Sequence, residues 1–137
     1  MPRISPSKTE FDALKGQVPK RTLLWTNPSP KSAFAAQTVQ IAELANYTYV
    51  AIEWKAHSSY DNTSTFTKVQ GVADAGSDNA TYGYNSTTES ILWTRSYRVT
   101  TTGVQFYDSF EKSLKNTSVG SKDNERNVPY RVYGIEW

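Results

Sequence analysis

YTYVAIEWKA, residues 47–56, carries the clearest pattern in the chain: Val50, Ile52, Trp54 and Ala56 fall on one side of an extended segment, and Tyr49, Glu53 and Lys55 on the other. Side chains along a strand point alternately to opposite faces, so a period of two describes a strand with one face on a core. No long amphipathic helix competes with it.

Outward from that strand the chain reads as further short strands. Thr22 to Thr26 is a first one, stopped by Asn27-Pro28-Ser29-Pro30, where two prolines remove ladder donors and bend the chain. Gln37 to Ala42 resumes the extended pattern with Val39 and Ile41 on one side, and Phe66 to Val72 is a weaker candidate. Two polar stretches, His57 to Thr65 and Asp74 to Thr88, read as loops, rich in Ser, Thr, Asn and Asp and studded with Tyr60, Tyr82 and Tyr84. Glu89 to Thr101 and Thr102 to Phe110 form a hairpin around Thr100-Thr101-Thr102-Gly103, whose glycine can supply a positive φ. After a polar interval from Leu114 to Asn127, the last strand runs from Val128 to Trp137, with Val128, Tyr130 and Val132 on one face and Tyr133, Ile135 and Trp137 on the other. A strand apolar on both faces is either central in its sheet or covered by another subunit. About seven strands with frequent turn signals predict an all-β fold, an antiparallel β-sandwich of jelly-roll-like type over residues 22–137.

Residues 1–21 differ. Pro2, Pro6 and Pro19 punctuate them, and Ser7-Lys8-Thr9-Glu10 fits a capping box, in which the Ser hydroxyl and Glu carboxylate satisfy free amides of a first helical turn. Phe11 and Leu14 would share one face of a short helix that Gly16 can end. So short a helix is marginal alone in water, so it either packs on its own domain or serves as an arm that docks through Phe11, Leu14 and Val18.

Composition narrows the function. Of 137 residues 13% are aromatic, four of them Trp and nine Tyr, so burial rests on large flat side chains that favour strands. A net charge of +2 with dispersed Lys and Arg argues against a nucleic-acid partner. The absence of cysteine rules out disulfides and thiolate metal sites. No apolar run is long enough to cross a bilayer and the N-terminus lacks a signal-peptide core, which predicts a chain made in the cytoplasm and not inserted in a membrane.

Catalytic patterns are weak. His57 is the only histidine, and Ser58, Ser59 and Asp61 are too close to it in sequence to converge as nucleophile and orienter. Asp74 with Asp78, and Asp108 with Glu111, are pairs of the kind glycoside hydrolysis uses, but thirteen acidic residues produce such pairs by chance. Asp74 to Asn79 lacks the order of a calcium loop, and no phosphate-cradling glycine motif occurs. Sequons at Asn46, Asn62, Asn79, Asn85 and Asn116 arise freely in Asn- and Thr-rich segments. The expectation is no enzyme activity, no cofactor and no metal. The aromatic loops remain: Tyr60, Tyr82 and Tyr84 could each cover the apolar face of a sugar ring, with Asn62, Asp78 and Asn85 bonding its hydroxyls, or they could pack back and hold the loops.

LLWTNPSPKSAFAAQTV at 23–39 and VPYRVYGI at 128–135 resemble the opening and close of a small C-terminal domain of bacteriophage tail-fibre and other virion structural proteins. The strand Tyr49 to Lys55 and the hairpin Arg98 to Phe106 agree with it in style. The resemblance covers Leu23 to the C-terminus and implies a virion protein, assembled in the host bacterial cytoplasm. It also implies a trimer, for which Tyr133, Ile135 and Trp137 are candidate interface residues. Two roles follow: a fibre-tip-like module binding host-surface polysaccharide, or a capsid decoration, head-fibre or adaptor protein anchored to other virion proteins through residues 1–21.

Overall fold

The computed structural model describes residues 8–9, 19–57, 60–69, 77–85, 89–113 and 120–136. The described residues form nine strands: β1 (Lys20–Thr26), β2 (Gln37–Gln40), β3 (Tyr49–His57), β4 (Tyr60–Lys68), β5 (Ser77–Asn85), β6 (Glu89–Val99), β7 (Gly103–Ser113), β8 (Ser121–Lys122) and β9 (Arg126–Glu136). A 3₁₀ turn, Ala42–Asn46, lies between β2 and β3. Sheet 1 has the order β1-β9-β3-β4 and sheet 2 the order β2-β7-β6-β5, with β8 also on β7, and the pairings are antiparallel. The first three strands alternate between sheets, and β7 and β9 return beside them, the jelly-roll-like part of an all-β sandwich. The middle of the chain is simpler, a β3–β4 hairpin and a β5–β6–β7 meander.

The period of two in the third strand sets the core. Val50, Ile52 and Trp54 are fully buried and meet Tyr97, Val99, Val104 and Phe106 of sheet 2. Trp54 packs edge-on against Phe106 at 5.7 Å and beside Tyr97 at 5.2 Å between ring centroids. Its indole donates to Thr65 Oγ1 at 2.8 Å, so the polar end of the largest core ring is satisfied. The Tyr97 hydroxyl shares a hydrogen bond with Thr67 Oγ1, joining β6 to β4.

Several expectations are corrected. The stretches read as loops at His57–Thr65 and Asp74–Thr88 contain β4 and β5: Thr-rich segments suit a strand when alternate positions face a neighbouring sheet, and Thr65 and Thr67 are bonded by core side chains. Of the strand sought at Phe66–Val72, Phe66 to Lys68 are the end of β4 and residues 70–72 lie outside the described residues; the polar interval at 114–127 holds β8 and the start of β9. Gly103 has no positive φ. It is needed because a side chain there would strike the backbone of Val39 and Gln40 in the neighbouring strand. The last strand is central in sheet 1, between β1 and β3. Its register slips where Arg131 faces Glu53 and Pro129 faces Trp54, so Tyr130 leaves the expected core row and stands half-buried beneath Lys55 and Arg131. A matching slip at Leu24 turns Leu24 and Trp25 onto the core and leaves Leu23 outside, 52% exposed. Of the N-terminal segment Lys8 and Thr9 are described, in helical conformation, and so are Pro19, Lys20 and Arg21, the last two already in β1; Phe11, Leu14 and Val18 lie outside the described residues.

At one core position stands a charge. Arg95 alternates inward between Trp93 and Tyr97 and is 0% exposed. Its guanidinium donates to four backbone carbonyls: Nε to Asn127 at 2.8 Å, Nη1 to Tyr107 at 2.7 Å, and Nη2 to Arg126 at 3.2 Å and Asn124 at 3.4 Å. Burial lowers its pKa to about 10, partly offset by the Asp108 carboxylate, so it stays charged at neutral pH. Asn127, at φ 49° in the left-handed region that Asn tolerates, bonds through Nδ2 to the Trp93 carbonyl at 3.0 Å. Asp108 accepts from the Ala36 amide at 2.9 Å and from Asn124 Nδ2 at 2.8 Å, and pairs with Lys122 at 3.2 Å.

Removing the buried charge strands four carbonyls at once. Arg95→Met is expected to lower stability by about 3 kcal/mol or more, read from chemical denaturation, with Arg95→Lys also destabilised because an ammonium cannot reproduce the planar fork. The Ala36 and then the Asn124 hydrogen bonds hold the Asp108 pKa at about 2, below the ordinary 3.8. That contribution is complete above the ordinary value and is lost as pH falls through about 2. The stability difference between the protein and Asp108→Asn should therefore be constant above about pH 5 and shrink from about pH 4 downward. A difference independent of pH would show that the carboxylate charge contributes nothing.

Candidate functional site

The six residues proposed from sequence as a sugar site lie on two strands. Tyr60 and Asn62 occupy β4, paired with His57 and Lys55 at the edge of sheet 1. Asp78, Tyr82, Tyr84 and Asn85 occupy β5, the outermost strand of sheet 2, paired with Ser96, Leu92, Ser90 and Glu89. The two groups belong to opposite sheets, and the side chains of all six lie outside what is described.

The register of β5 nevertheless leads to a surface that the sequence reading missed. Leu92 and Thr94 alternate with the buried Ile91, Trp93 and Arg95, so they face outward on β6. Across sheet 2, one row runs from position 82 through Leu92 to Lys112, and the next from position 80 through Thr94 and Phe110 to Lys122. Phe110 is 43% exposed. Leu92, Thr94, Phe110, Glu111, Lys112 and Gly120 surround a shallow hollow of about 310 Å³. Gly120 is required at its rim, because any side chain there would run into the Glu111 carbonyl. Glu111 is held from below by the Trp93 indole at 3.3 Å, and Arg126 stacks on the same indole at 3.9 Å. The result is an exposed ring with an ammonium on the same face, on a sheet pinned from within by Arg95; the Glu111 carboxylate, bonded by Trp93, belongs to the other face of β7. The signal in the sequence was the alternation of Leu92, Thr94, Phe110 and Lys112 with core residues.

The outer face of sheet 1 carries the candidate interface residues. Tyr133 lies between Leu23 and Ala51, and Ile135 between Arg21 and Tyr49. Ile135 is buried at 6% exposure, while Leu23 and Tyr49 are exposed. Arg21 covers the Tyr133 ring at 4.0 Å, the Tyr133 hydroxyl donates to Glu53 at 3.3 Å, and Arg131 approaches Glu53 at 3.7 Å. Trp137 lies outside the described residues.

Of the catalytic patterns, His57 stands 3.8 Å from Glu125 at the end of β3. Asp108 is engaged by Ala36, Asn124 and Lys122, and Glu111 by Trp93. Among the described residues no group of three or more His, Asp or Glu could hold a metal ion, and no helix is long and apolar enough to cross a membrane. Compared with known protein families, with curated proteins and with solved structures, the chain matches none.

Tyr133→Ala removes a cation–π contact and one hydrogen bond, not a fully buried ring. Its expected cost is about 1–2 kcal/mol in denaturant titration. A loss above about 3 kcal/mol accompanied by a smaller sedimentation coefficient would mean that a second copy covers this face.

Proposed function

We propose that this protein is a non-enzymatic structural component of a bacteriophage particle, a fibre-tip-like module that binds host-surface carbohydrate through the outer face of sheet 2. The observation that carries the reading is the exposed Phe110 ring, with Thr94 beside it across the sheet and Lys112 along the same face of β7. Sugar recognition needs flat apolar area for a pyranose face and fixed polar groups for its hydroxyls. The register adds Tyr82 to the same row as Leu92, and Tyr84 two residues further along β5. On the opposite sheet Tyr133 is covered by Arg21 and Tyr130 by Lys55 and Arg131, which leaves those two rings less available for stacking. The virion assignment rests on the sequence resemblance over residues 23–39 and 128–135.

A second reading, a decoration or adaptor role within a trimer, draws on Leu23 and Tyr49, large apolar side chains exposed beside Tyr133 on sheet 1. Contact with other virion proteins through that face and through residues 1–21 would cover them.

Each sugar contact is weak, so one domain is expected to bind polysaccharide at about millimolar strength, with useful affinity reached by several copies on one particle. Phe110→Ala, at an exposed position, should leave the melting temperature nearly unchanged. In a pull-down with purified host cell-wall polysaccharide, multivalent wild-type protein should be retained, Phe110→Ala and Tyr82→Ala/Tyr84→Ala much less so, and retention should be insensitive to salt. Absence of retention by the multivalent wild type would leave the decoration or adaptor role as the better account.

A further inference from the structure

A second cavity lies at the other end of sheet 2, between the end of β1, the 27–36 segment and β2. Its volume is about 420 Å³, within the range of sites for small ligands. Trp25, Phe34 and Val39 form the apolar part, Ser29 and Gln37 supply a hydroxyl and an amide, and Thr38 completes the wall from the strand between Gln37 and Val39. None of the described residues that line it is charged.

The walls are fixed by bonds that do not involve a ligand. Asn27, buried at the start of the segment, donates through its amide N–H to Tyr130 O and through Nδ2 to Pro129 O, each at 2.8 Å, and its Oδ1 accepts from Ser29 N at 2.8 Å. The Phe34 amide donates to Asn124 O at 2.9 Å and the Ala36 amide to Asp108 at 2.9 Å. Trp25 leans on Phe34 and Phe106, with ring centroids 6.4 Å and 6.3 Å away. Gln37 donates one amide N–H to Ala35 O at 3.2 Å, which orients the group and leaves its carbonyl oxygen able to accept. A cavity whose walls are ordered beforehand loses little entropy when it is filled.

We propose that this groove is a binding site for one uncharged sugar unit, separate from the Phe110 face and independent of whether that face binds anything. A half-buried indole with an amide and a hydroxyl beside it matches a pyranose, which has an apolar face and an equator of hydroxyls that both donate and accept. A carboxylate or phosphate entering here would be desolvated with no cation to meet it, so acidic sugars are disfavoured. An aliphatic chain would leave the amide and hydroxyl without partners.

The test follows the indole N–H resonance of Trp25 in two-dimensional NMR of the full chain, assigned as the signal missing from Trp25→Phe. Glucose, galactose and N-acetylglucosamine are titrated separately, with glucuronate as the acidic control. At least one neutral sugar should shift the Trp25 signal saturably at around millimolar concentration, and glucuronate should bind at least several-fold more weakly. Gln37→Ala/Thr38→Ala removes two exposed side chains without opening the core, so the variant stays folded, and it should weaken the response about tenfold. The same titration in Phe110→Ala should be unchanged. No saturable shift with any of the three neutral sugars overturns the proposal, as does an undiminished response in Gln37→Ala/Thr38→Ala or an equal response to glucuronate. Loss of polysaccharide retention in Phe110→Ala bears only on the sheet 2 face, so the two readings fail separately.

Discussion

A single buried guanidinium organises this molecule. An arginine cannot shed its proton at any pH the protein meets, and it has donors only, so a buried one must be surrounded by acceptors. Here four backbone carbonyls converge on Arg95, from Tyr107 in β7 and from Asn124, Arg126 and Asn127 around the β8–β9 turn. The left-handed backbone of Asn127 belongs to the same arrangement, and its amide returns a bond to the strand that carries Arg95. One side chain on sheet 2 thus fixes the entry of the central strand of sheet 1. Hydrophobic packing between the sheets is non-directional and would tolerate sliding, whereas this fork of hydrogen bonds permits one register.

From that point the constraint spreads to the surface. Asn124 carries it to Asp108 and, through its carbonyl, to Phe34, and Asp108 carries it to Ala36, so the proline-bearing 27–36 segment is tied to the same centre as the sheets. Lys122 closes on Asp108 from β8. The groove at Trp25 and the hollow at Phe110 therefore share a rigid support although they lie on different parts of sheet 2. Weak ligands need such support, because an interaction of a few kcal/mol is readily consumed by ordering a mobile loop.

Legibility in the sequence followed the strength of alternation. The strand at 47–56, the hairpin around Thr100–Gly103 and the final strand could be read because apolar and polar residues alternate there. β4 and β5 could not, since Thr, Ser and Asn serve equally in loops and strands, and what settles their state is the neighbouring sheet, as when Trp54 and Tyr97 bond Thr65 and Thr67. The two register slips at Leu24 and Tyr130 are invisible to a strict period of two, and each moved an aromatic residue across the sheet: Trp25 inward and Tyr130 outward. Arg95 had a faint signature, a charge falling in phase with Ile91, Trp93, Tyr97 and Val99. Of the site, the aromatic content of β5 was visible, but its alignment with Leu92 and Phe110 depends on long-range pairing, which no local pattern encodes.

The two outer faces of the sandwich are chemically unlike, and the difference comes from where cations sit. On sheet 1, Arg21, Lys55 and Arg131 lie over Tyr133 and Tyr130, and Glu53 ties Tyr133 to Arg131, so those two rings are covered within the chain while Leu23 and Tyr49 stay exposed beside them. A ring covered by a guanidinium must lose that contact before it can stack on anything else. On sheet 2, Phe110 stands open, with Thr94 and Lys112 on the same face around the hollow beside it. A face whose charges are paired and whose exposed groups are large and apolar suits contact with another protein surface. A bare ring edged by single polar groups suits a small hydroxylated ligand met one unit at a time. The two faces thus differ in what they leave open, with the buried arginine between them keeping both in shape.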